Sequence, residues 1–461
     1  MERGEVAAPA GGDPVSDAEA RAAAFAADLT LADVPQEVQT HVGLVLADTV
    51  GAVVGGATDP AVGSLVDRLA DEATPQAPTA AVLGTASRLS PRLAALVTGT
   101  AGTVLELDEG HKYAAGHPAI HVLPAVLAAG DATDATTEEL LTAFVAGYEV
   151  VTRVARACAP LTAGYHPHGV WGAVGAAVGV ARLRGLDAET TLMAMRIAAN
   201  GAQHTRMAAA TEGATVRNSY AGKANLDGML AVELAEAGFT GLVGGVARHL
   251  SPACGDGFDA DELTRDLGER WDVTGGYFKR HAACRYTHPT LDALDALLER
   301  VSFDADQVAE VDVETYPMAA ELTAVHPTNA LQAKFSVPFA VATRLLTGSS
   351  GKPSFDERAR SAATFELAER VTVRAASDLT ARLPDARSAR VRVTLDDGQS
   401  YEEEVVHARG GAERPWAEAE LREKFDELVG PVLGGDAADT LWPAVRERSV
   451  TPRELGAFAS R

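Results

Sequence analysis

The sequence predicts a mostly α protein, with a large all-helical domain and a smaller α+β domain near its C-terminal third. Three observations carry this. Aromatic residues are only 5% of the 461 residues while the chain abounds in Ala, Gly, Val and Leu, a composition for closely packed helices. Apolar residues recur at helical spacing through about residue 270. Beyond about 275 the texture turns to β-branched alternation.

Residues 1–15, rich in Gly, Pro and Ala without periodicity, are expected to be disordered. Ser16 and Glu19 have the spacing of a capping box for the first helix. Pro35 then opens a helix whose core face reads Val38, Val42, Val45, Leu46, Val50, Val53 and Val54. Similar segments follow at 59–72, 90–104, 120–130, 137–159, 169–184, 187–200 and 222–237. Glycines at 169, 172, 175 and 179 predict a helix approached very closely by another backbone, with His166 and His168 in its first turn. The α+β domain, 275–410, has strands near 311–315, 371–373 and 390–395. The Asp396–Asp397–Gly398 turn folds the last of these into a hairpin with 399–407. Helices are expected at 289–301, 330–347 and 355–370. Residues 411–461 turn helical again and are assigned with 16–272 to the first domain.

The net charge of −24 argues against nucleic acid or an anionic membrane as partner, yet leaves room for a small anionic substrate in a locally positive site. Cys158, Cys254 and Cys284 are three, far apart and without a CxxC, which predicts a reducing, cytoplasmic setting without disulfides. The N-terminal residues lack a signal-peptide layout, and the apolar run 169–181 is too short to span a bilayer.

Chemistry concentrates in Val104–Pro124, which sets Asp108, Glu109, His111, Lys112, His117 and His121 between apolar flanks. Three further stretches belong with it: Tyr165–His168, Arg217–Lys223 and Lys279–His288. The chain has only six lysines, and Lys112, Lys223, Lys279 and Lys334 fall in or beside these stretches, where an ammonium with a shiftable pKa is useful. So many histidines beside Lys and Asp indicate proton transfer. A metal site is the main rival, from His117/His121 and His281/Cys284/His288, but HEXXH is absent and nearby lysines repel a divalent cation. Nucleotide-binding glycine loops and a GxSxG elbow are absent as well.

The segments HPAIHVLPAVLAAG, GYEVVTRVARA, YHPHGVWGAVGAAVGVARLRGL, AGKANLDGMLAVELAEAGFTG, CRYTHPTLDAL and AKFSVPFAVA, in this order, resemble the MmgE/PrpD family across about residues 20–450. That family includes 2-methylcitrate dehydratase, cis-aconitate decarboxylase and iminodisuccinate epimerase. The resemblance implies an MmgE/PrpD-like fold whose α+β domain acts as a lid, a site between the domains, no metal and no cofactor, and a homodimer. It implies His117 and His166 as site histidines, Asp108 as a polar site residue and Lys279 as the lid lysine. Arg217 stands where relatives such as the decarboxylase have Lys, Phe339 where Tyr is common, and Cys284 where the decarboxylase has His. Arg217 suits carboxylate anchoring. With Phe339 lacking a hydroxyl, Tyr165, Tyr286 or His288 are the substitutes to consider. His111, Lys112, Tyr165, Cys284, Arg285 and Phe339 complete the expected substrate-binding set.

The expected activity is a cofactor-independent lyase that abstracts a proton beside a carboxylate of a small di- or tricarboxylate and eliminates water. Epimerisation by the same abstraction is the alternative, then decarboxylation, and last a non-catalytic binding relative.

Overall fold

The computed structural model describes residues 13–70 and 77–460. Of the stretch expected to be irregular, 1–12 lie outside these, while Pro14 and Val15 are already helical. The first helix, Pro14–Asp28, is capped by the Asp13 carboxylate, which accepts from the Val15 N–H at 3.3 Å. Ser16 and Glu19 are therefore not a capping box. They lie within the helix and bind Arg196, whose Nε is 2.7 Å from the Glu19 carboxylate and whose Nη2 donates to Ser16 Oγ at 2.7 Å.

Helices Gln36–Gly56, Pro60–Ala70, Pro91–Thr103, Pro118–Thr133, Thr137–Ala157, Gly172–Leu183, Ala188–Asn200 and Tyr220–Glu236 build the helical domain. All seven apolar residues predicted for the face of Gln36–Gly56 are buried. By length and composition that helix could cross a membrane, but 78% of its apolar window is covered by protein. Gly172–Leu183 runs through the centre. A Cβ on Gly172 would stand 2.0 Å from the His121 ring, and one on Gly175 2.7 Å from Val151. The helix starts at Gly172, so His166 and His168 lie in the loop before it rather than in its first turn.

Two short antiparallel pairs occur: β1 (Ala80–Ala81) with β2 (Arg88–Leu89), a local hairpin, and β3 (Gly110–His111) with β4 (Gly276–Tyr277), which joins distant segments. The second domain holds β5 (Val308–Thr315), β6 (Val371–Ala375), β7 (Ala389–Leu395) and β8 (Ser400–Val405), in the order β6–β5–β7–β8. β5 and β6 are parallel; β7–β8 is the predicted hairpin, with Gly398 in the turn at φ +84°. Alternate residues Val311, Val313, Val391 and Val393 face a core shared with helix His288–Arg300. The helix expected over 330–347 is broken into Ala330–Lys334 and Val337–Thr347, because Ser336 caps the second by accepting from the Phe339 N–H at 3.0 Å. The helix expected over 355–370 shortens to Ala362–Ala368.

The C-terminal helices Glu418–Leu433, Gly435–Arg446 and Pro452–Phe458 return to the helical domain. Phe425 and Leu428 close on Gly51 and Gly55, and Lys424 bonds Asp48 and the Leu107 carbonyl, each at 2.6 Å. Cys158 and Cys254 form a disulfide, contrary to the sequence expectation. Their separation of 96 residues hid a proximity created when the Leu161 segment bridges back to Cys254. Cys284 remains a free, buried thiol.

Candidate active site

The segment between helices Pro91–Thr103 and Pro118–Thr133 carries three carboxylates and two imidazoles into the interior. Glu106, at φ +56°, turns its side chain inward, and Asp108 follows; both are buried. His117 occupies the N-cap position of Pro118–Thr133. Its Nδ1 lies 3.1 Å from Asp108 Oδ2 and 2.6 Å from the Glu109 carbonyl. Both neighbours accept, so the Nδ1 proton is fixed there and Nε2 is left as the unprotonated nitrogen of the neutral ring.

Two cations close the group. Arg217, in the turn Thr215–Ser219, pairs with Glu106, donates to the Thr103 carbonyl at 3.2 Å and lies 3.3 Å from His166 Nε2. Lys279, just past β4, sits 3.2 Å from Glu106 Oε2 and 3.7 Å from Asp108 Oδ1, fully buried. Burial alone would raise both carboxyl pKa values. The charges of His117, Lys279 and Arg217 outweigh it at Asp108, and those of Arg217 and Lys279 at Glu106, so both are held below the ordinary range. Glu109, with only the Tyr148 hydroxyl at 2.6 Å and the Ala119 N–H at 3.1 Å, is pushed by burial up to about 8.

His117, His166 and His121 pack edge-on around His168, with ring centroids 4.5, 4.8 and 5.1 Å from its own. Burial, reinforced by Arg217, keeps His166 and His168 neutral; burial lowers His121 to about 4. His166 Nδ1 accepts from the His168 N–H at 3.1 Å while Arg217 Nε points at its Nε2. A neutral ring carries one N–H, so these two contacts compete. Both nitrogens of His168 lack a partner.

Asp108, His117 and His168 bring three ligand atoms within 4.8 Å, a geometry that could hold a cation. The Lys279 ammonium already lies against Asp108, which disfavours a second positive charge there.

The remaining expected residues divide. Cys284 lies near this cluster, its backbone N–H on the Lys334 carbonyl, and burial first, then Glu106, pushes its thiol up to about 11. Lys112 and Arg285 instead line a separate cavity of about 290 Å³ between the domains, with Tyr277, Arg387, His407 and Glu413. His111 is buried beside Gly275, accepts from the Ala114 N–H at 3.2 Å and is lowered by burial to about 4.

Two expected residues fall outside. Tyr165 pairs with Arg206 in a short bridge that turns His166 inward and its own ring outward, onto His204 and Arg206. Phe339 packs in the core with Phe355 and Phe365, at 6.2 and 6.3 Å between ring centroids. The Ser336 cap sets the helix register and points Phe339 away; it is Phe335 that lies under Arg217, at 5.3 Å.

Sequence reasoning missed Glu106, though it is the first charged residue inside the apolar flank of the chosen stretch. It also left Lys334 without a role. Lys334 Nζ donates to the Val104 carbonyl at 2.5 Å, and burial lowers it to about 8 against the pull of Glu106. Tyr277 and Arg387 carry no local signal; the fold alone brings them to the cavity.

Comparison with known proteins agrees with this architecture. The chain is 27% identical over 408 residues to the cis-aconitate decarboxylase-like protein oryM of Aspergillus oryzae, covering 82% of this chain and 83% of that protein. It is 24% identical to cis-aconitate decarboxylase of Aspergillus terreus, covering 88% of each. To the mouse cis-aconitate decarboxylase it is 27% identical, covering 78% of this chain and 76% of that one. The model of the MmgE/PrpD N-terminal domain matches residues 20–247 and that of the C-terminal domain residues 281–447, and the chain therefore belongs to the MmgE/PrpD family.

Proposed function

We propose that this protein is a lyase acting on a small di- or tricarboxylate through proton transfer at His117. The observation that carries the reading is the buried Asp108–His117 pair set against Lys279 and Arg217. Asp108, its carboxyl held below the ordinary range by His117, Lys279 and Arg217, sits against His117 Nδ1 and fixes the ring's orientation. Lys279 and Arg217 are placed to take substrate carboxylates and the negative charge that develops beside them. No step in this account calls for a metal or cofactor.

Decarboxylation is the first form of the reaction. Carbon dioxide leaves, its bonding pair stays on the substrate carbon, and protonated His117 supplies the proton. The names of the similar proteins support it. The lost hydroxyl at Phe339 does not weigh against it, because that side chain lies in the core rather than at the cluster. Dehydration is the second form: neutral His117 removes the proton beside a carboxylate, the bonding pair forms the new double bond, and His117 passes that proton to the neighbouring hydroxyl, which leaves as water. The same pair and cations serve both.

Proton NMR in D2O with cis-aconitate, 2-methylcitrate and a panel of hydroxy- and imino-dicarboxylates tests the proposal. A decarboxylated or dehydrated product, lost in His117→Ala, supports it. An epimer as the sole product overturns the lyase assignment, and no reaction across the panel overturns the substrate class. The homodimer, drawn from the resemblance, stands as a further proposal that light scattering on the eluting protein reads; the cytoplasmic setting, drawn from the cysteine pattern, loses that argument to the Cys158–Cys254 bridge.

A further inference from the structure

We propose that the cavity between the two domains is a capture site for small polycarboxylates, one aromatic ring away from His117. The inference rests on the carboxylate reading of the buried cluster and assigns a second, separate site to the same ligand class.

The charge in this cavity runs against that of the whole chain. Lys112 pairs with Glu413, which also lies 3.8 Å from His407. Among the described residues no carboxylate lies within ion-pair distance of Arg285 or Arg387; Asp292 acts on Arg285 only from further off. Arg285 donates to the Ala408 and Arg409 carbonyls at 3.1 and 2.9 Å and lies over the Tyr277 ring at 4.3 Å. Arg387 donates to the Lys112 carbonyl at 3.0 Å and lies over the Tyr286 ring at 5.5 Å. Elsewhere the chain's arginines are commonly matched to acids, as Arg390 is to Glu314, Asp378 and Glu404. Backbone carbonyls and ring faces hold the two cavity guanidiniums in place without cancelling their charge. Two fixed, unneutralised arginines in a concave, half-enclosed space attract a multiply charged anion, and do so more strongly than exposed residues would. A volume of about 290 Å³ fits a ligand of few carbons.

The wall nearest the cluster is Tyr277. Its ring centroid is 6.4 Å from that of His117, edge to face. Backbone pairing with Gly110 positions the ring, which packs so closely that a Cβ on Gly110 would be 2.5 Å from the phenol oxygen. His117, His166, Asp108 and Lys279 do not line the cavity, so an anion held there waits outside the reacting groups.

Calorimetric titration of the full chain with citrate at low salt tests the capture site. Arg387→Gln is expected to weaken citrate at least tenfold, Arg387→Lys to recover part of that, and His117→Ala to stay within twofold of the wild type. In the lyase assay Arg387→Gln is expected to raise KM with kcat within threefold. Citrate binding unchanged in Arg387→Gln, lost in His117→Ala, or absent from the wild type would each overturn the proposal. Near-UV circular dichroism identifies a variant that has lost its fold, in which case the Arg387→Lys titration decides. Arg387-dependent citrate binding in a protein that turns over no carboxylate would leave the capture site standing and sink the lyase reading.

Discussion

The Lys279 ammonium lies 3.2 Å from the Glu106 carboxylate, whose other oxygen is held by Arg217. Glu106 thus bridges a cation of the helical domain and a cation beside the strand that leads into the α+β domain. A substrate carboxylate must compete with it for the same two groups. Glu106→Gln removes one negative charge from a buried network, and we expect it to cost about 3–5 kcal/mol of stability. The affinity for carboxylate ligands should rise at the same time. Denaturant titration and calorimetry read the two effects, and a variant that loses both stability and affinity would show Glu106 to be structural only.

Asp108→Asn should lower kcat by about 100- to 10,000-fold, as expected for disabling a positioned acid–base group. His117→Ala should do at least as much. Steady-state assays on folded variants decide: wild-type turnover in His117→Ala would remove His117 from the mechanism, and in Asp108→Asn would remove the pairing with Asp108.

The helices around this network were legible because apolar spacing at 36–56 and the glycines of 172–179 are local signals of burial and close approach. Asp108 and His117 were legible for a related reason: charged groups against an apolar wall stand out in a sequence. Glu106 was not, because its role depends on a left-handed backbone turn and on partners 111 and 173 residues away. The same limit applies to the Ser16/Glu19 pattern, which matches a cap by spacing but is taken up by Arg196. Phe339 was misplaced because a motif fixes sequence position, while the Ser336 cap fixes which way the helix turns its side chains.

Glu109 gives a pH signature. Burial raises its folded-state pKa to about 8, above the 4.5 of an unperturbed Glu. Between those values the unfolded chain has released a proton that the folded chain keeps, so stability falls as pH rises from about 4.5 to 8, then levels. Glu109→Gln, which keeps a neutral group facing Tyr148, should flatten that fall. Urea midpoints across pH 5–8 provide the check; parallel slopes in variant and wild type would refute it.

The Cys158–Cys254 bridge closes a loop of 96 residues of sequence separation. Cys254→Ser should therefore destabilise by about 2–4 kcal/mol. Dithiothreitol should lower the wild-type melting temperature and leave that of Cys254→Ser unchanged. Equal sensitivity in both would mean the bridge contributes nothing.

Chelation offers a check on the ligand-like trio Asp108, His117 and His168. With Lys279 against Asp108, dialysis against EDTA should leave activity intact. Loss on dialysis with recovery on adding a divalent ion would reassign the trio as a metal centre.

Lys424 lies 317 residues beyond Leu107, yet it holds Asp48 and the carbonyl of Leu107, the residue just before Asp108. During synthesis the α+β domain is completed before Lys424 has emerged. The loop that carries Asp108 thus lacks its anchor until helix Glu418–Leu433 has been made and docked. The nascent chain can assemble the earlier helices first, but the Asp108 loop is set only once that later helix docks, so a ribosome stalled short of residue 424 displays the loop without its anchor.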